Sequence, residues 1–158
     1  PGPYSELDKC FSVIHLNIRS IRNKIDYIKN NFTDFDVMCF TETHLSDDIP
    51  CEIITIDEYV SFRKDISNHS GGLLTYISTD LVAKRRTDLE HPTLQSLWTE
   101  IKHKDKTILL CNVYRPPSSS VTFWNDLNIN FEKALEENFR VLVVGDINED
   151  QMANLNSK

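Results

Sequence analysis

The run Val141-Leu142-Val143-Val144-Gly145-Asp146-Ile147-Asn148 ends four apolar residues with groups able to do chemistry. Read as a short buried strand, it delivers a carboxylate and a carboxamide two positions apart, both on one side of the chain. Gly145 just before them allows close backbone approach or an unusual dihedral. Two other apolar runs end in similar chemistry, residues 11–16 leading into Asn17 and residues 36–41 into Glu42. Hard cations such as magnesium take oxygen ligands, often one or two carboxylates with water and phosphate oxygens. Glu42 is the best ligand candidate of the set. Each residue also has a plain reading. Glu42 fits a solvated loop carboxylate, Asn17 a helix N-cap and Asp146 an Asx-turn residue. Taken together they favour a site, because strand ends of α/β sheets gather ligands at one mouth.

The elements that must carry these groups are legible as hydrophobic patterns. Residues 11–16, 36–41, 59–63, 72–77, 81–86, 96–103, 107–114 and 140–144 read as strands. The first, nearly all apolar, is expected to be buried on both faces. Ile18, Ile21, Ile25, Ile28 and Phe32 recur at spacings of three and four, the stripe of an amphipathic helix with Arg19, Arg22, Lys24 and Lys29 opposite. Lys104-Asp105-Lys106 reads as a hairpin turn. Arg115-Pro116-Pro117-Ser118-Ser119-Ser120 interrupts the sheet, since proline cannot donate to a ladder. The serines are expected to cap a helix whose face is Trp124, Leu127, Phe131 and Leu135. Strand, helix, strand in this order predicts an α/β fold.

With 158 residues the chain is one domain or a large piece of one. Its 17 Lys and Arg against 24 Asp and Glu give a net charge of -7, which argues against a general polyanion-coating role. It leaves room for an enzyme acting on phosphodiesters, where a metal ion offsets local carboxylates. No apolar stretch reaches bilayer-spanning length and no signal peptide is read, so no membrane partner is expected. Cys10, Cys39, Cys51 and Cys111 lack zinc-type spacing; Cys39 and Cys111 fall in apolar runs and read as buried, reduced thiols of an intracellular protein.

Five stretches in order carry a resemblance. Ile14-His15-Leu16-Asn17-Ile18-Arg19-Ser20-Ile21, Cys39-Phe40-Thr41-Glu42-Thr43-His44-Leu45, Gly71-Gly72-Leu73-Leu74, Asn112-Val113-Tyr114-Arg115-Pro116-Pro117 and Val144-Gly145-Asp146-Ile147-Asn148 resemble the endonuclease/exonuclease/phosphatase superfamily, in the style of the endonuclease domain of non-LTR retrotransposons. The resemblance implies a deoxyribonuclease-like two-sheet α/β sandwich, incomplete on its C-terminal side, with residues 1–10 a lead-in and 11–158 the partial domain. It implies that Glu42 holds magnesium or manganese and that Asn17 orients that shell. Asp146 would orient or deprotonate the attacking water, Asn148 bind the scissile phosphate and Tyr114 donate to a phosphate oxygen. Arg115 could contact DNA phosphate, a solvated arginine being the safer reading; Tyr114 on its own reads as a half-buried strand-end residue. Glu100 is expected to face outward from its strand. The implied reaction is nicking of DNA to leave a 3′-hydroxyl for reverse transcription, in the nucleus, with a reverse transcriptase domain in the full-length protein. Apurinic repair endonucleases and sugar- or lipid-phosphate phosphatases of the superfamily rank second and third.

One departure matters. The superfamily ends in a Ser-Asp-His motif that this sequence lacks, and His15, His44, His69, His91 and His103 all precede Asp146. The chain is therefore expected to match the first part of such a domain, to show little or no nuclease activity alone and to expose an apolar face. The rival reading is a catalytically silent remnant that at most binds metal or a partner.

Overall fold

A computed structural model describes residues 10–149. The first nine lead-in residues and the polar tail from residue 150 lie outside the described residues. In chain order the elements are β1 (Val13–Asn17), α1 (Ile25–Asn31), β2 (Val37–Thr41), β3 (Tyr59–Lys64), β4 (Leu73–Ser78), β5 (Val82–Arg85), β6 (Gln95–His103), β7 (Lys106–Tyr114), α2 (Phe123–Leu135) and β8 (Arg140–Asp146). Every strand read from the hydrophobic pattern is present, with ends moved by at most two residues.

Two four-stranded sheets pack face to face, ordered β1-β2-β4-β3 and β5-β6-β7-β8. In each, one pair is parallel, β1 with β2 and β7 with β8. A parallel pair needs a crossover, and α1 and α2 lie on these two crossovers. The pleat sorts side chains between layers. Val37 and Cys39 of β2 join Ile77, Ile101 and Leu110 between the sheets. Met38 and Phe40 point the other way, into a cluster with Ile28 of α1. On the far side, Trp98, Leu109 and Cys111 pack under Phe123 and Leu127 of α2. β1 stacks over β8, and β2 over β7 and β8. Among the described residues, no helix is long and apolar enough to cross a membrane.

Several expectations need correction. The apolar stripe from Ile18 to Phe32 is not one helix: α1 starts only at Ile25. Ile18 and Ile21 are buried all the same, but on irregular chain with Arg19 and Ser20 at positive φ. The backbone there follows the exit of β2, with Ser20 N–H donating to Glu42 O and Ile21 N–H to Thr43 O. Tertiary hydrogen bonds override the local period. α2 buries Phe123, Leu127, Asn130 and Ala134, whereas Trp124 and Leu135 are exposed. The helix is rotated about one residue from the expected face because Trp124 holds a neighbouring arginine instead of the core. The residue at its N-cap is Thr122, which makes no side-chain cap bond, and of the serines Ser120 meets the helix start, its Oγ accepting Thr122 N–H at 3.2 Å and its carbonyl Phe123 N–H. β1 is half-buried along its length, not buried on both faces, because it is an edge strand. Glu100 does point away from the sheet interface, yet it is only 7% exposed, covered by its ion pairs with Lys84 and Arg86.

Candidate functional site

Parallel pairing brings the carboxyl ends of β1, β2, β7 and β8 to one mouth. Along β8, Leu142 and Val144 enter the inter-sheet core, so Asp146, two further on, continues that inward row. Val13 sets the same row on β1, ending at Asn17. The two rows meet: Asn17 Nδ2 donates to Asp146 Oδ2 at 2.9 Å, one sheet to the other. On β7 the inward row is Leu110, Asn112 and Tyr114, and Tyr114 is the register partner of Asp146. Its hydroxyl crosses to the other sheet and donates to Glu42 Oε1. Asn112 ties the sheets underneath, giving Nδ2 to the carbonyls of Phe40 and Leu74, each at 3.2 Å.

Glycines make the approach possible. A Cβ on Gly145 would stand 1.9 Å from Val113 O. One on Gly72 would stand 2.4 Å from Thr43 Oγ1, beside the segment that carries Glu42. That segment is held by Thr43 N–H to Gly72 O and His44 N–H to Gly71 O. Glu42 itself has φ +55° and Asn148 φ +43°, left-handed conformations that cost a side-chain-bearing residue on the order of 1–3 kcal/mol and persist only when their surroundings enforce them.

The polar atoms are unevenly satisfied. Asp146 Oδ1 accepts Asn148 N–H at 3.1 Å, so the Asx-turn reading of Asp146 is correct and coexists with its bond to Asn17. Asn17 does not cap a helix; α1 begins behind Lys24. Its Oδ1 is buried with no partner, as are Thr43 Oγ1, Asn112 Oδ1 and Arg115 Nε close by. An orphaned buried oxygen costs roughly 1–3 kcal/mol, a cost that a bound cation would offset. Burial pushes the Tyr114 phenol up; the bond to Glu42 and the charges of Glu42 and Asp146 add to this, and a bond from Asn148 opposes it. Tyr114 is thus held as a neutral donor, 5% exposed, with its hydroxyl engaged by Glu42. Behind it, burial holds the His15 imidazole below its usual value despite the Asp146 charge.

Among the described residues no three His, Cys, Asp or Glu gather as a metal-binding group. The oxygen set of Glu42 and Asn17 Oδ1 nonetheless suits magnesium, which commonly takes one or two protein donors and keeps water or phosphate for the rest. A soft metal would find no sulfur here, since Cys39 and Cys111 are buried elsewhere in the core, the Cys39 thiol pushed up to about 12 by burial.

Arg115 is half-buried and engaged by its neighbours. Its Nη1 donates to Ile147 O at 3.3 Å and Asn148 O at 3.4 Å. Its guanidinium carbon lies 5.6 Å from the ring centroids of both Phe123 and Trp124. Asn148 returns the contact, Nδ2 donating to Arg115 O at 2.8 Å. Sequence reasoning placed Asn17, Glu42, Tyr114, Arg115, Asp146 and Asn148, and all six meet at this mouth. It missed the supports: Asn112, Thr43 against Gly72, and the aromatic pair around Arg115. An asparagine two before Tyr114 on an inward row was the one signal available.

Two sheets closed over a strand-end mouth of carboxylate, carboxamide and phenol define a deoxyribonuclease-like α/β sandwich. Solved structures share it. The endonuclease domain of TRAS1, a telomere-specific non-LTR retrotransposon, matches with TM-score 0.66 at 11% identity, over 90% of this chain and 61% of that one. An AP endonuclease from Archaeoglobus fulgidus matches with TM-score 0.55 at 18% identity, over 88% and 58%. ANGEL2, a 2′,3′-cyclic phosphatase, matches with TM-score 0.61 at 16% identity, over 93% and 55%. The chain thus spans about 55–61% of the length of these structures. No curated protein sequence matches it. The chain belongs to the endonuclease/exonuclease/phosphatase family, whose sequence model matches residues 14–154.

Proposed function

We propose that the mouth is the centre of a metal-dependent phosphodiester hydrolase acting on DNA, of the strand-nicking kind found in non-LTR retrotransposons. The observation that carries this is the cross-sheet pairing of Asn17 with Asp146 and Tyr114 with Glu42, beside an unpartnered Asn17 Oδ1. Glu42 and Asn17 Oδ1 would hold magnesium or manganese, which supplies charge stabilisation and a more acidic water. Asp146, fixed by Asn17 and by the Asn148 amide, is placed to orient that water and accept its proton. Tyr114, kept protonated, can turn its hydroxyl to a phosphate oxygen. The bonds of Asn148 to Asp146 and to Arg115 make it a holder of these groups as well as a phosphate contact. A cleft of about 190 Å³ opens beside Tyr114, lined by Thr93, Gln95, Ser119 and Phe123, and gives a bound strand room next to the phenol. In a longer protein the partner would be a reverse transcriptase domain, working at nuclear DNA.

The absence of Ser-Asp-His from this sequence favours slow turnover. Loss of a proton-transfer group typically lowers a rate by about 100- to 10,000-fold. Supercoiled plasmid incubated with the chain and magnesium should be nicked slowly, and not at all by Glu42→Gln or with chelator. Nicking that survives Glu42→Gln, or a chain that binds neither DNA nor divalent cation, would overturn the proposal.

A further inference from the structure

We infer that Arg115 is a positioning residue, a latch that fixes the Asp146–Asn148 turn, and not a DNA-phosphate contact. Residue 115 meets that turn at successive points. Its backbone N–H donates to Asp146 O at 2.8 Å, its Nη1 reaches the carbonyls of Ile147 and Asn148, and its own carbonyl accepts Asn148 Nδ2. The guanidinium is backed by Phe123 and Trp124 of α2, and such cation–π contacts gain strength when desolvated. The half-buried guanidinium spends Nη1 on the two carbonyls and its face on the two rings.

The latch has something to hold. Asn148 sits at φ +43°, a left-handed conformation that asparagine tolerates better than most side chains, and its N–H is what fixes Asp146 Oδ1. Arg115 therefore acts on the carboxylate at one remove: it restrains Asn148, and Asn148 restrains Asp146. Both carbonyl contacts come from Nη1, so what lysine lacks here is the planar guanidinium that lies against Phe123 and Trp124 while Nη1 holds the turn. α2 thereby becomes the support of the catalytic turn, which explains why Trp124 faces out of the core.

The rate readout rests on the hydrolase proposed above, whereas the backbone readout does not. In Arg115→Met, NMR order parameters of Ile147 and Asn148 should fall from rigid values near 0.85 to below about 0.6, with Leu142 and Val144 unchanged. Binding to a duplex oligonucleotide should keep its salt dependence, while single-turnover nicking at saturating chain falls about tenfold. Arg115→Lys should rescue neither turn order nor rate. Trp124→Ala, at an exposed position, should loosen the same two residues and serves if Arg115→Met fails to fold. Unchanged order parameters in the folded variants would overturn the latch. So would a salt slope reduced by about one unit in Arg115→Met and restored by lysine, the signature of a lost phosphate contact. A chain with no DNA binding at all would sink the proposed hydrolase and leave the order parameters to decide the latch.

Discussion

At the scale of single residues, the site exists because side chains two positions apart share a strand face. Val144 and Asp146 on β8, and Asn112 and Tyr114 on β7, switch from core to chemistry without changing direction. The most exacting position among them is Gly145. A Cβ there would be 1.9 Å from Val113 O, a backbone atom that cannot swing aside. Gly145→Ala is expected to lower stability by more than about 3 kcal/mol, beyond the ordinary range of single substitutions, and urea melts of the pair check this. An alanine variant as stable as the parent would mean that β7 and β8 separate easily at the mouth. The positive φ angles of Glu42 and Asn148 are a second residue-scale feature. Asparagine is among the side chains that tolerate this region, so Asn148 fits its conformation; the glutamate at 42 gave no such signal, and its segment is held from outside by Gly71 and Gly72.

Elements were legible in the sequence where burial alone shapes them. β2 is buried at all five positions and reads as an apolar run; β6 and β7, buried over most of their length, flank a two-residue turn at Lys104-Asp105. What failed was any element shaped by a partner distant in sequence. The stripe Ile18 to Phe32 has helical period, but Lys24 Nζ binds Ile18 O and Arg19 O and fixes a bend where helix was expected. The face of α2 was misread because Trp124 is larger than Ala134, and only Arg115 explains where it goes. Ion pairing of α2 to its sheet was invisible for the same reason. Arg86 bonds Asp88, Glu100 and Glu137 together, clamping the end of α2 to β6. Arg86→Met should cost about 3 kcal/mol, since Glu100 is left buried with only Lys84. The same bonds hold the Asp88 and Glu137 carboxyls below their usual range. Folded pKa values below unfolded ones give stability that is present above about pH 4 and lost as pH falls through the folded values. Urea midpoints at pH 7 and pH 3 should therefore show a smaller acid loss in Arg86→Met than in the parent; an equal loss would place the acid-sensitive contacts elsewhere.

For the molecule as a whole, β1 and β8 are, among the described residues, edge strands stacked on one another. Val143 on β8 is 42% exposed. Unpaired edges with apolar side chains promote pairing between chains. Sedimentation should show association of residues 1–158 that grows with concentration, and a monomer at all concentrations would contradict this. The two-sheet core also predicts thiol behaviour. Cys10 and Cys51 are exposed and Cys39 and Cys111 buried, with burial pushing both buried thiols up. A disulfide reagent at neutral pH should modify two thiols quickly and the others only on unfolding. The central claim is that chemistry lies at the strand-end mouth of this sandwich. Asp34, Asp36, Glu58 and Asp80 line a cavity at the opposite end without gathering as a metal-binding group, so that end serves as the comparison for a divalent cation. Manganese titrated into isotope-labelled chain, followed by paramagnetic broadening, tests the claim most directly. The account predicts broadening centred on Asn17, Glu42 and Asp146, weakened at least about tenfold by Glu42→Gln. Broadening centred on Asp34 and Asp80, untouched by Glu42→Gln, would contradict it.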